Sequence, residues 1–201
     1  MQKRLKINGL SQENMKAWVD RKLFIHNLGH AATAYLGYQY NPKFIFLYET
    51  LAVPSIFLEV HETMLQSAAL LLEKYPNEFT MQHLIDHTDD LLKRFQNKAL
   101  GDTIFRVGCD LQRKLGAKDR LAAAIHLALE LDLPYDKIRE SLVAGCYFRA
   151  TDESGKQLPE DLKFNELFDS GIENVLVQIC GFSEIHHSHL LNEAKIHEKN
   201  I

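Results

Sequence analysis

The sequence predicts an all-α protein, and three observations carry that expectation. Ten glycines and five prolines in 201 residues leave few turns, so the elements must be long. Apolar residues recur three and four apart, as at Met15, Trp18 and Val19 and at Met81, Leu84, Ile85, Leu91, Leu92 and Phe95, which is the spacing of one helix face. Alternation of period two, the mark of a half-buried strand, is nearly absent.

The elements follow in order from that periodicity. Helices are expected over residues 11–38, 44–52, 55–74, 81–97 and 103–115. Further helices are expected over 119–131, 135–149, 160–168, 172–180 and 185–198. Punctuation agrees. Pro54 and Pro159 take first-turn positions, Pro76-Asn77 and Leu133-Pro134 end or open elements, and Ser183 is placed to N-cap the last helix. The polar stretch 151–157, with Gly155, is the clearest loop. Without an internal repeat, low-complexity tract or flexible linker, the helices are expected to form one domain.

Charge and composition exclude several classes. With 23 basic and 27 acidic side chains the net charge is −4, and no run of Lys or Arg stands clear of Asp or Glu. That argues against a nucleic-acid or anionic-membrane partner. The longest apolar runs, such as residues 121–125, are too short to cross a bilayer. Residues 1–9 are basic but lack the apolar stretch and cleavage site of a secretory signal. Cys109, Cys146 and Cys180 are odd in number and far apart, which fits reduced thiols in a cytoplasmic protein. No chemistry is assigned to them.

Common catalytic and nucleotide signatures are absent. No two glycines lie two positions apart, so neither a G-x-G-x-x-G fingerprint nor a G-x-x-x-x-G-K loop is present. There is no G-x-S-x-G elbow, no H-E-x-x-H and no paired C-x-x-C. The chain should therefore not bind NAD(H) tightly by itself, because a pyrophosphate needs a glycine turn at a helix N-terminus.

The informative stretch runs from Arg21 to His30, inside the first long helix. At about 100° per residue, His30 lies roughly 80° round from Lys22 and Asn27 roughly 140°, so the three share one wall. Such a wall can surround one substrate oxygen. A lysine desolvated by Trp18 and Phe24 and close to an imidazole would act as a base near neutral pH. Asn27 and His30 would hydrogen-bond the oxygen whose charge changes, and Gly29 would let another backbone or a ligand approach. Spacing alone favours a plainer arrangement, with Lys22 at the surface and Asn27 and His30 as satisfied core or boundary groups.

The string Arg21-Lys22-Leu23-Phe24, then Asn27-x-Gly29-His30-Ala31, then Thr33-Ala34-Tyr35-Leu36-Gly37 resembles the opening of a known domain. It is the C-terminal, substrate-binding domain of the polyol-specific long-chain mannitol dehydrogenase family. The family's K-x(4)-N-x(2)-H signature falls on Lys22, Asn27 and His30 with its spacing intact. The likeness continues through Arg94-Phe95-Gln96-Asn97, Arg106-Val107-Gly108, Arg113-Lys114-Leu115, Asp119-Arg120-Leu121 and Phe148-Arg149. It implies a helical domain over residues 11–201, with 1–10 a remnant of an interdomain connection. It also implies oxidation of a secondary alcohol, such as that of mannitol 1-phosphate or mannitol, to the ketose, fructose 6-phosphate or fructose. The cofactor would be NAD or NADP, held mainly by an N-terminal Rossmann domain in the same polypeptide or on a separate one. Lys22 would be the base, with Asn27 and His30 as catalytic partners. Arg149, His26 and Arg113 would lie against the substrate.

The chain departs from the family pattern at Lys98, where Pro is usual, at Cys109 and Leu111, where Arg and Pro are usual, and at His26, usually a small or hydroxyl residue. Arg149 also fits a plainer role as a cation at a helix C-terminus, and Arg113 and Lys114 a solvated face beside Asp110 and Asp119. Ten histidines raise a competing class. His26 with His30 and His83 with His87 have the i, i+4 spacing of metal ligands, His186-His187-x-His189 cluster, and Asp86, Asp89 and Asp90 are near the second pair. A metal-dependent phosphohydrolase resembling the HD superfamily would need a His-Asp doublet, however, and the order here is Asp86-His87. No metal is expected. A non-catalytic interaction domain is the third class.

Overall fold

The computed structural model describes residues 12–183 and 192. Among these the regular structure is helical, and the only extended pairing is one isolated antiparallel bridge, Phe46 with Thr103. The long helix expected at the start is three pieces: α1 (Gln12–Arg21), a π-helical segment (Lys22–Asn27) and α2 (Leu28–Tyr40). There follow α3 (Leu47–Leu51), α4 (Pro54–Lys74), α5 (Met81–Phe95), a 3-10 turn (Lys98–Leu100), α6 (Ile104–Gly108) and α7 (Leu111–Lys114). The described residues end with α8 (Arg120–Leu131), α9 (Asp136–Cys146), α10 (Pro159–Asp169) and α11 (Ile172–Gln178). No helix among them is long and apolar enough to cross a membrane.

Helix α2 is the hub because its sequence is small and apolar on every side. Residues 28 to 37 are buried except His30, and α2 packs against α3, α4, α6 and α9. Gly29 does admit a close neighbour, but it is a side chain, the Met64 thioether of α4, and not a backbone or a ligand. Tyr35 adds a polar tie, its hydroxyl donating to the Gly108 carbonyl at 3.1 Å while its ring meets Phe148 edge-on. Pro54 and Pro159 do open α4 and α10, where a missing N–H costs nothing.

Three further expected elements differ, each for an identifiable reason. The helix expected over 103–115 breaks at Cys109 and Asp110, with Asp110 in the left-handed region at φ 71°. The break is held by Asp161 of α10, whose carboxylate accepts the Asp110 and Leu111 N–H groups at 2.9 and 2.6 Å. A remote carboxylate thus does what a local cap normally does. The helix expected over 44–52 starts only at Leu47, because Leu47 N–H bonds Asp102 O and Ile104 N–H bonds Ile45 O, drawing 45–46 into the bridge. That expected over 135–149 ends at Cys146, where α9 gives way to Arg149 bonding its last carbonyls. The three cysteines are free thiols; Cys146 and Cys180 are buried, and burial pushes the Cys180 thiol up. The helix expected over 185–198 and the His186, His187 and His189 cluster lie outside the described residues, as does the connection expected over 1–10.

Candidate active site

The π segment has an identifiable cause. In a plain α-helix Leu28 N–H would bond the Phe24 carbonyl. Here the buried Ser67 hydroxyl of α4 donates to that carbonyl at 2.5 Å, and Leu28 N–H reaches back five residues to Leu23 O. An i→i+5 repeat carries residues five apart towards the same side of the helix. Lys22 and Asn27 are five apart, so the π register brings them closer in azimuth than the α-helical reading does, and His30 follows Asn27 by three α-helical residues. Such π segments occur mostly at functional sites.

Around this wall the side chains differ in exposure. Lys22 is exposed, Asn27 and His26 are half-buried, and the His30 side chain keeps only 21% of its surface. The desolvation of Lys22 expected from Trp18 and Phe24 is not found. Phe24 turns into the core, while Trp18 is half-exposed and stacked under the Arg21 guanidinium at 4.1 Å. Among the described residues no hydrogen bond joins Lys22, Asn27 and His30 to one another. Phe95 of α5 instead joins the two histidines, its ring stacking on His30 at 4.7 Å and on His26 at 5.7 Å.

His30 is the most constrained member. Its Nε2 lies 3.0 Å from Asp102 Oδ2, and the other Asp102 oxygen pairs with Arg106. Burial, with His26, Arg106, Arg120 and Lys114 nearby, pushes the imidazole down to about 3. The carboxylate alone would favour the imidazolium, but Arg106 on its far oxygen cancels much of that field. His26 is lowered by burial, Arg94, Lys22 and Arg120, and His87 falls to about 4 through burial, Arg21 and His26, against Asp90. Arg120 is itself buried, bonded to Asp119 at 2.8 Å and reaching the Asn27 carbonyl at 3.4 Å. Lys114 is buried too, its ammonium donating to Val107 O at 2.7 Å.

Depressed histidines make stability pH-dependent, with a definite sign. The unfolded chain binds protons below about 6.5 while His30 stays neutral to about 3, so stability falls as pH drops below 6.5. Between pH 7 and about 5, His30 is expected to remove up to ~2 kcal/mol of unfolding free energy. Denaturant unfolding at the two pH values checks this, and His30→Gln should flatten the slope. An identical slope in that variant would assign the acid sensitivity elsewhere.

Two expected substrate contacts are not brought to the wall. Arg149 donates to the Cys146 and Phe148 carbonyls at 2.9 and 2.8 Å and lies over the Phe168 ring at 5.0 Å, as the plainer C-terminal reading has it. It lines a separate cleft of about 910 Å³ with Tyr38, Phe44, Phe46 and Ser154, and none of Lys22, His26, Asn27 or His30 borders it. Arg113 is exposed and taken up by Asp110 at 2.5 Å and Asp119 at 3.2 Å. Among the described residues no three His, Cys, Asp or Glu side chains converge as a metal set. Asp89 pairs instead with His61, and Asp86 with Gln82. The sequence reading missed Asp102, Phe95 and Ser67 as parts of the site. Phe95 and Arg106 fall within the strings that carry the resemblance, but nothing local marks Asp102 or Ser67.

For a nicotinamide cofactor the fit is partial. Helix α11 opens on a glycine, Gly171, but is only seven residues long, whereas on the π segment Lys22 is exposed and Asn27 half-buried. The comparisons specify the class. The model of the mannitol dehydrogenase C-terminal domain family matches residues 14–197, and the chain belongs to that family. Its curated relatives include the mannitol-1-phosphate 5-dehydrogenases of Buchnera aphidicola subsp. Acyrthosiphon pisum, strains Tuc7, 5A and APS. Each is 30% identical over 168 residues, covering 83% of this chain and 41% of the relative. The chain thus spans about two fifths of the length of those relatives.

Proposed function

We propose that this chain is the substrate-binding and catalytic domain of an NAD(P)-dependent polyol dehydrogenase, oxidising a secondary alcohol of mannitol 1-phosphate or mannitol to the ketose. The observation that carries the reading is Lys22 and Asn27 at the two ends of a π segment with His30 one α-helical turn beyond, inside a family match that runs along the chain. The Lys22 amine takes the hydroxyl proton. Asn27 holds the oxygen as its bond to carbon gains double-bond character, and His30 contacts the substrate beside it. Bound nicotinamide supplies the hydride acceptor. The exposure of Lys22 fits a site completed by a second domain, which would close over the amine, exclude water and disfavour its ammonium form.

The partner is a Rossmann domain, in the same polypeptide or a separate one, and the compartment is the cytoplasm. Supplying such a domain in cis should give cofactor reduction with mannitol 1-phosphate, and with mannitol next in order, while the 201-residue chain alone gives none. A folded fusion inert towards mannitol, mannitol 1-phosphate and altronate, and towards fructose and fructose 6-phosphate in reverse, would favour an interaction domain instead.

The π register is part of this reading. Ser67→Ala frees the Phe24 carbonyl for Leu28 N–H and is expected to return the segment towards α geometry. Turnover should fall by up to ~10²-fold, the effect of about 1 Å of misplacement, while stability changes by only ~1 kcal/mol. Steady-state rates beside a urea melt check both, and unchanged rates would make the register irrelevant.

A further inference from the structure

We propose that Asp102 is a positioning residue that fixes His30 in its Nε2–H tautomer, so that the imidazole meets the substrate through Nδ1, as an acceptor. The inference rests on the polyol reading for what Nδ1 faces, but the tautomer itself follows from the geometry. A carboxylate paired with a guanidinium is ionised and can only accept hydrogen bonds. At 3.0 Å from Asp102 Oδ2, His30 Nε2 must therefore carry the hydrogen. A neutral imidazole has one N–H, so Nδ1 keeps a lone pair, and among the described residues it has no hydrogen-bond partner.

Asp102 is itself held in place. Its backbone carbonyl accepts Leu47 N–H at 3.0 Å, and the next residue forms the bridge with Phe46. Its second oxygen is tied to Arg106 four residues on, and its side chain is 15% exposed. The ring it orients is clamped from the other side by Phe95. The charged and titratable groups facing His30 are Asp102, His26, Arg106, Arg120 and Lys114. Burial first, and then these cations outnumbering the single carboxylate, disfavour a second proton on the imidazole.

The roles on the wall then separate. Asn27 donates to the reacting oxygen, Lys22 takes its proton, and His30 Nδ1 orients a substrate hydroxyl by accepting from it. A substrate with no hydroxyl for Nδ1 leaves a desolvated acceptor unpaired, which favours polyhydroxylated alcohols over simple ones.

Ring-nitrogen NMR of the 201-residue chain, with histidine labelled, reads the tautomer without any substrate. His30 is expected as Nε2–H near neutral pH. Asp102→Asn, whose amide can donate to Nε2, should admit the Nδ1–H form, whereas Asp102→Glu should restore Nε2–H. In the fusion with a nucleotide-binding domain, Asp102→Asn should lower kcat/KM by ~10- to 10⁴-fold, the upper figure being that of a wrong-tautomer histidine elsewhere. If Asp102→Asn fails to fold, the exposed Arg106→Gln serves in its place. It leaves Asp102 uncancelled and should move the His30 titration upward. Nδ1–H in the unsubstituted chain, or an unchanged tautomer in Asp102→Asn, overturns the proposal whatever the substrate. A tautomer as expected in a fusion that turns over no polyol overturns the functional reading instead.

Discussion

Lys22→Ala, in the chain joined to a nucleotide-binding domain, is expected to lower kcat by ~10²-fold or more, the usual contribution of a positioned general base. KM should change much less, because the amine acts as charge develops and not in holding the ground state. The fold should be untouched. Lys22 is exposed and makes no hydrogen bond or ion pair among the described residues, so its removal leaves no buried group without a partner. Its loss does relieve His26 of one cation, and the His26 titration should rise. A small amine added to the Lys22→Ala protein should recover part of the rate if the missing group is a proton acceptor. Unchanged turnover would move the base elsewhere.

The largest loss of stability is expected from Asp161→Ala. This carboxylate is 2% exposed and accepts two backbone N–H groups where α6 turns into α7. Each such charge-assisted bond contributes ~1.5–3 kcal/mol, so alanine should cost ~3–5 kcal/mol and shift the urea midpoint accordingly. Asp161→Asn keeps one acceptor and should cost about half as much. A loss under ~0.5 kcal/mol for alanine would show that the N–H groups find water instead. The effect should reach the site, because the same junction carries Arg106, whose guanidinium pairs with Asp102, and Lys114, which donates to the α6 carbonyls.

How much was legible in the sequence follows from what each feature depends on. The helices of 55–74 and 81–97 were readable because their apolar spacing and their punctuation are local: Pro54 opens one and Thr80 caps the other. The Lys22, Asn27 and His30 set was readable because its spacing is fixed by the chain. Its register was not. Six residues of apolar pattern do not separate an i→i+5 turn from an i→i+4 turn, and the choice here is made by Ser67, 43 positions away. The break at Asp110 likewise depends on Asp161, 51 positions on. Nothing in the sequence marks Asp102, and only the packing of 102–104 against 45–47 sets it opposite His30. Arg149 and Arg113 were legible as cations. Their partners, the α9 carbonyls for one and two aspartates for the other, were not.

The most direct test is where a polyol phosphate binds when the cofactor and the second domain are present. Chemical-shift mapping of the fusion, saturated with oxidised cofactor and titrated with mannitol 1-phosphate, should move the backbone of the π segment, the Asn27 side-chain amide and the His30 ring together. Shifts confined to the cleft of Arg149 and Ser154, with that wall unmoved, would contradict it.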